Sequence, residues 1–120
     1  MDEISLTLPS DHAFRRVAHL VLGGFAVRQD LTYESLEDVE LALDALLERF
    51  GDGEDVTVRI RVEGDELRTV IGPFQPEALD DLEHEAGDAL DLRRILAAVC
   101  DGFEASDGWV ELTKRLDGRQ

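Results

Sequence analysis

Three stretches of the chain alternate apolar and polar residues, and this period of two predicts β-strands with one buried face. The first covers residues 4–8 and ends at Pro9. Residues 56–62 and 67–71 form a second stretch, joined through a hairpin turn at Gly64. The third predicts a final hairpin made of residues 103–105, a turn at 106–108 and residues 109–116.

Helical spacing of apolar residues follows the first strand. One helix is predicted from Ser10 or Asp11 to about Arg28. Its inward stripe comprises Phe14, Val17, Ala18, Val21 and Phe25. Gly23 and Gly24 lie inside this helix, where each costs about 1 kcal/mol relative to alanine. They therefore indicate close packing against the sheet or a bend in the helix.

Two further helices and an acidic segment complete the predicted elements. The second helix begins after Thr32, which suits the N-cap, and ends at Gly51. Its core stripe comprises Leu36, Val39, Leu43, Leu46 and Phe50. The last main helix covers residues 90–100, with Leu92, Ile95, Leu96 and Val99 inward. Residues 77–91 hold seven carboxylates and predict a short, exposed acidic helix.

The element order β-α-α-β-β-α-β-β predicts the fold class. Helices that are segregated from hairpins are typical of an α+β domain, with an antiparallel-rich mixed sheet and helices on one face. A length of 120 residues fits one domain covering residues 1–120.

The charge of the chain restricts its partners. Twenty-eight acidic residues against twelve basic ones give a net charge of −16. Such a surface repels phosphates, so nucleic acid and anionic membranes are disfavoured as partners. A basic protein would be attracted. Solubility alone is the competing explanation of this charge.

Three further features favour the cytoplasm. No apolar run reaches the roughly 20 residues that span a bilayer. The first five residues do not resemble the beginning of a signal peptide. The single cysteine, Cys100, has no partner for an intramolecular disulfide, and its apolar neighbours favour a small buried hydrophobe over a nucleophile.

Three segments of the sequence, in this order, resemble segments of one known protein family. They are residues 6–10 before the first helix, residues 36–43 in the second helix, and residues 101–104 with 110–116. Together they resemble the ATP-binding domain of anti-sigma-factor serine kinases, across about residues 4–116. The resemblance implies the two-layer α/β sandwich of the GHKL (Bergerat-like, histidine-kinase-like) ATPases. It also implies a protein partner, either a sigma factor or an anti-sigma antagonist, and a tendency to form homodimers.

The nucleotide-binding motifs of that family are degenerate in this chain. The resemblance places the family's catalytic Glu and Mg²⁺-binding Asn at Ala45 and Arg49. Alanine is no base, and a guanidinium cannot ligate a cation. The adenine-binding Asp corresponds to Ile71, and the glycines of the phosphate-binding turn correspond to Ala89 and Asp91. Asp91 would also repel the phosphates. We therefore predict no catalytic, cofactor-binding or metal-binding residue.

An active kinase is the alternative hypothesis, and it needs other metal ligands. Shifting the second helix by one residue brings Asp44 and Glu48 into the required i,i+4 relation, so that they could hold Mg²⁺ for ATP. This shift rotates the helix by about 100° and turns Leu43 and Leu46 away from the core. The competing interpretation of these two acids is a solvated helix face.

The preferred hypothesis is a catalytically inactive regulatory module that binds a protein. The acidic segment at residues 77–91 is then the predicted partner-facing surface. The residues expected to steer a basic partner are Asp80, Asp81, Glu83 and Glu85. Trp109 is either a core or edge aromatic or an anchor for the partner. An unrelated α+β homodimeric interaction protein is the third hypothesis.

Overall fold

A computed structural model describes residues 3–83 and 89–116 of the chain. Its sheet has five strands in the order β1-β2-β3-β5-β4, and every neighbouring pair of described strands is antiparallel. The strands are β1 (Glu3–Pro9), β2 (Asp55–Glu63), β3 (Glu66–Gly72), β4 (Gly102–Ser106) and β5 (Trp109–Arg115). The predicted α+β class is confirmed, although no parallel pair occurs among these strands.

Four α-helices join the strands. They are α1 (Arg15–Arg28), α2 (Tyr33–Phe50), α3 (Pro76–Glu83) and α4 (Ala89–Val99), and a 3₁₀ turn at His12–Phe14 precedes α1. Within the described ranges, residues 77–83 of the acidic segment belong to α3 and residues 89–91 belong to α4. No helix in the described ranges is long and apolar enough to cross a bilayer.

Helix α2 forms as its sequence predicts. The Thr32 hydroxyl oxygen accepts a hydrogen bond from the Ser35 N–H at 3.1 Å, which caps the first turn. Leu43 and Leu46 are almost completely buried. The helix ends at Gly51, where a Cβ atom would lie 2.5 Å from the Leu47 carbonyl oxygen. Only glycine fits that position without displacing the backbone.

Helix α1 is rotated relative to its predicted orientation. Ala18 and Phe25 are buried as expected, but Leu22 and Ala26 complete the buried face. Phe14 and Val17 are exposed. Asp11 precedes the 3₁₀ turn without a capping hydrogen bond from its side chain. Because α1 starts only at Arg15, after that turn, its inward face differs from the predicted stripe.

Two smaller expectations were wrong, and a third was wrong in part. The Ser10 hydroxyl accepts a hydrogen bond from the Gly53 N–H at 2.9 Å instead of capping a helix. A Cβ atom at Gly23 or Gly24 would meet nothing within 4 Å, so these glycines do not serve close packing, and a bend in the helix stays a prediction. Ile95 is exposed rather than inward, whereas Leu92, Leu96 and Val99 are buried as predicted.

The sheet presents one apolar and one polar face. Val58, Ile60 and Ile71 point into the core that the helices cover. The alternate residues of β2 and β3, such as Arg59 and Arg68, lie on the uncovered face. The helices are therefore all expected on one side, as in a two-layer sandwich.

Candidate functional site

Ala45 and Arg49 of α2 stand at the positions where the resemblance implies a base and a metal ligand. Ala45 is partly buried and packs against the hydrophobic core. Arg49 is exposed, and its guanidinium carbon lies 5.6 Å from the centre of the Phe50 ring. These positions offer a methyl group and a cation, neither of which is a general base or a Mg²⁺ ligand.

The two surrogate acids of the alternative hypothesis face α1. Asp44 Oδ1 lies 2.9 Å from His19 Nε2, and Glu48 Oε2 lies 2.8 Å from Arg15 Nη2. Glu40 Oε2 approaches the other nitrogen of His19 at 3.7 Å. These carboxylates therefore connect α2 to α1. Among the described residues, no group of three His, Cys, Asp or Glu side chains could hold a metal ion.

The segment after β3 is packed into the core. The Ile71 side chain is completely buried. Phe74 is also buried, and its ring centre lies 5.7 Å from that of Phe50. The Phe74 N–H donates a hydrogen bond to the Gly108 carbonyl oxygen at 2.6 Å, which fixes this segment to the β4–β5 turn. The position that corresponds to the adenine-binding acid is thus an aliphatic core position.

Gly72 brings Trp109 onto the sheet. A Cβ atom at Gly72 would lie 2.8 Å from Trp109 Cδ2, so the indole ring covers this glycine. The Arg59 guanidinium carbon lies 5.8 Å from the ring centre on the uncovered face of the sheet. Trp109 is therefore a half-buried aromatic at the start of β5, an inner strand of the sheet, and an anchoring role for it stays a prediction.

The counterpart of the phosphate-binding turn that the resemblance implies is residues 89–92. These residues belong to α4, whose described part begins at Ala89. The side chains of Ala89 and Asp91 lie outside the described part of the chain, so the loss of a phosphate-binding turn stays a prediction.

The four predicted partner-facing acids lie at the C-terminal half of α3 and just beyond it. Asp80 is exposed on α3. Asp81 and Glu83 belong to the same helix, but their side chains are outside the described residues, as is the whole of Glu85. Leu79 is buried, so α3 is not the wholly exposed helix that its composition predicts. Steering by these four acids stays a prediction.

A solvent-facing apolar stripe on α1 is the feature that the sequence interpretation missed. Leu20 and Val27 are 70% and 82% exposed, and Val17 is exposed beside them. Their spacing of three and seven residues, with Gly24 between them, places them on one helix face. No acidic residue occurs at positions 12–29 of this acidic chain. The sequence contained a signal for this exposed stripe, because the apolar residues of α1 occupy more than one helix face.

Cys100 is unsuited to nucleophilic catalysis. It is buried at the end of α4, and burial raises the pKa of its thiol to about 11. The thiolate is therefore scarce at neutral pH. The prediction of a small buried hydrophobe is confirmed.

Comparison with known proteins assigns this architecture. The five-stranded antiparallel sheet and its helices match an RsbW-like fold of the GHKL type. The chain is 25% identical over 143 residues to the serine-protein kinase RsbW of Bacillus velezensis. That alignment covers 100% of this chain and 89% of RsbW. No family model matches the chain.

A solved structure shows the same fold. The chain superposes on the structure of the RsbU and RsbW domains of Rv1364c from Mycobacterium tuberculosis with a TM-score of 0.66 and 16% identity. The match covers 97% of this chain but 33% of that longer chain. The predicted GHKL-like fold is confirmed.

Proposed function

We propose that this chain is a regulatory protein-binding module with an RsbW-like scaffold and without a working ATP site. The observation that carries the proposal is the apolar stripe on α1, formed by Val17, Leu20 and Val27. Soluble proteins rarely expose contiguous apolar surface of this kind unless it binds a partner. The similarity to a serine-protein kinase supports a regulatory role of the same type.

Three substitutions support the loss of ATP turnover. Ala45, Arg49 and Ile71 stand where the resemblance places a base, a metal ligand and an adenine acceptor. Ile71 is buried and Ala45 packs against the hydrophobic core. A polar side chain from elsewhere in the chain would therefore have little room to act as the adenine acceptor or the base at these positions. Asp44 and Glu48, the substitutes considered above, already contact His19 and Arg15 of α1.

The partner that the resemblance implies is a sigma factor or an anti-sigma antagonist, encountered in the cytoplasm. Asp80, Asp81, Glu83 and Glu85 would steer its basic surface, while the α1 stripe supplies apolar contact. The stripe also fits a second copy of the chain, which is the homodimer hypothesis. Sedimentation velocity separates the two, because only a homodimer forms from the pure protein.

The first test is calorimetry with Mg-ATP. We expect no heat of binding at micromolar nucleotide, because no described acid or amide occupies the base, metal or adenine position. A micromolar Kd would contradict the loss of the site and favour the active-kinase alternative. In that case phosphate transfer to a copurified protein, reduced by alanine at Asp44 and Glu48, decides whether the enzyme is active.

The second test changes the α1 stripe. Leu20→Ser is expected to weaken partner binding about tenfold or more, since burying a leucine contributes about 1.5–3 kcal/mol. Affinity capture from the source organism at low and high salt, followed by titration with the identified partner, measures this loss. Ile95→Ser on α4 is the matched control, because Ile95 is also partly exposed. Equal binding by both variants and the parent would contradict a role for the stripe.

A further inference from the structure

The edge strand β4 borders a groove that no function described so far uses. This groove has a volume of about 580 Å³ and runs between β4 and α4. Its lining includes the small and apolar residues Ala97, Cys100, Phe103 and Ala105. The guanidinium carbon of Arg93 lies 5.2 Å from the centre of the Phe103 ring at one side of the groove. A strand edge beside a helix is the geometry with which several protein modules bind an extended peptide.

The backbone of β4 has hydrogen-bonding groups that β5 does not use. Among the described strands, β4 pairs with β5 alone. Ser106 and Trp109 flank a two-residue turn and therefore form a hydrogen-bonded pair. Antiparallel pairing then alternates, so the N–H and C=O groups of Phe103 and Ala105 point away from β5. No described strand pairs with this row, so it can serve as a template for another strand beside α3, the helix that also contacts β4.

The side chains of β4 define what an added strand would carry. Phe103 and Ala105 are opposite Leu112 and Val110, which are buried, so they face the groove. Glu104 faces the uncovered side of the sheet and is exposed. An added strand would therefore place every second side chain in the apolar groove and the others beside Glu104.

The charges near Glu104 favour basic residues at those positions of the added strand that lie beside Glu104. Glu104 is directly opposite Glu111 on β5, and like charges at opposed positions are destabilising. Arg68 Nη1 forms an ion pair with Glu111 Oε1 at 3.2 Å, whereas Glu104 has no ion pair within the described part of the chain. A cation from an added strand would relieve this repulsion. Basic side chains of the added strand would therefore lie beside Glu104, and its apolar side chains would lie against Phe103 and Ala105 in the groove.

We propose that β4 binds an extended segment of a partner protein in which basic and apolar residues alternate. The segment adds a sixth strand to the sheet, with its apolar side chains in the groove and its basic side chains beside Glu104. A second copy of the chain is a poor occupant, because it carries the same net charge of −16. The proposal rests on the proposed function only in requiring a protein partner. Its tests leave α1 unchanged, so either idea can fail without the other.

The test uses the full chain labelled with ¹⁵N and an end-blocked octapeptide in which Lys and Val alternate. We expect saturable shifts of the backbone amide signals of residues 102–106, and slower hydrogen exchange of the Phe103 and Ala105 amides on binding. An octapeptide with alternating Glu and Val is expected not to bind. No binding of the Lys-Val peptide at about 1 mM, or shifts that avoid β4, would overturn the proposal.

Two variants test the mode of binding. Ala105→Pro removes an outward N–H and leaves the β5 ladder intact, and proline is tolerated at such edge positions. We expect it to weaken peptide binding about tenfold. Glu104→Lys should weaken the Lys-Val peptide to a similar extent and allow the Glu-Val peptide to bind. Because Glu104 is exposed, this variant keeps the test decisive if the proline variant does not fold.

Glu3→Lys is the matched control, since Glu3 is exposed on β1 at the other sheet edge. It makes the same charge change and should alter binding by less than about twofold. If Glu3→Lys weakens binding as much as Glu104→Lys, the attraction is nonspecific and the proposal is wrong. Concentration-dependent dimerisation that Ala105→Pro abolishes would also overturn it, because the occupant of the groove would then be a second copy.

Discussion

Replacing Ile71 with Asp is expected to lower the free energy of unfolding by about 4 kcal/mol or more, enough to unfold much of the protein. The Ile71 side chain is completely buried among core residues. A carboxylate there would lose its hydration without gaining a cation, and the lost apolar contacts would add to the cost. The substitution restores the residue type that the resemblance implies for adenine binding. If the variant loses stability and does not bind nucleotide, the surroundings of residue 71 form hydrophobic core and not a nucleotide pocket.

Urea denaturation followed by circular dichroism measures this effect. Ile71→Val is the matched control, which keeps the position apolar and should cost about 1 kcal/mol. If Ile71→Asp retained the parental midpoint and gained affinity for Mg-ATP, a polar pocket would exist at this position. The proposal of a lost ATP site would then have to be abandoned.

Gly108→Ala is expected to lower the free energy of unfolding by about 3 kcal/mol. Gly108 has a φ of +87°, which strains any residue with a side chain. A Cβ atom there would also lie 2.6 Å from the Phe74 carbonyl oxygen. The contact would push the β4–β5 turn away from the segment after β3 and strain the hydrogen bond between Phe74 and Gly108.

Gly64→Ala separates these two causes. Gly64 has a φ of +60° in the β2–β3 turn, but an added Cβ atom would meet nothing within 4 Å. We expect it to cost about 1 kcal/mol, from backbone strain alone. Thermal or urea unfolding of both variants gives the comparison. Equal losses would mean that the turn does not depend on its contact with Phe74.

The strands and α2 were predictable because local signals agree with the final packing. In β2, alternation from Val56 to Val62 is sufficient to fix which side chains enter the core. In α2, the Thr32 cap and the Gly51 terminus mark both ends of an apolar stripe. The predicted element order and fold class followed from these signals.

The orientation of α1 was not predictable from its pattern. Apolar residues occupy more than one face of this helix, so more than one face could have been turned inward. Leu22 and Ala26 are buried, whereas Phe14 and Val17 are exposed. The contacts of α1 with the acids of α2 are tertiary, and a single helical period does not encode them.

The candidate site was predictable only in part. Ala45, Arg49 and Ile71 can be read from the sequence once the family register is assumed, because a missing functional group is a local property. The partners of Asp44 and Glu48 are 25 residues or more away in the chain, in α1, and only the packed structure brings them together. The free edge of β4 depends on the strand order, which the sequence pattern does not specify.

Helix α1 is anchored more weakly than the other long helix. Two of its four buried residues are Ala18 and Ala26, which contribute little apolar area. The remaining attachment includes the Arg15–Glu48 pair, whose carboxylate is mostly in solvent and sensitive to salt. A protein that binds Leu20 and Val27 would therefore contact a helix that is held by fewer large apolar side chains than α2. Displacing α1 from the sheet would cost less free energy than displacing α2.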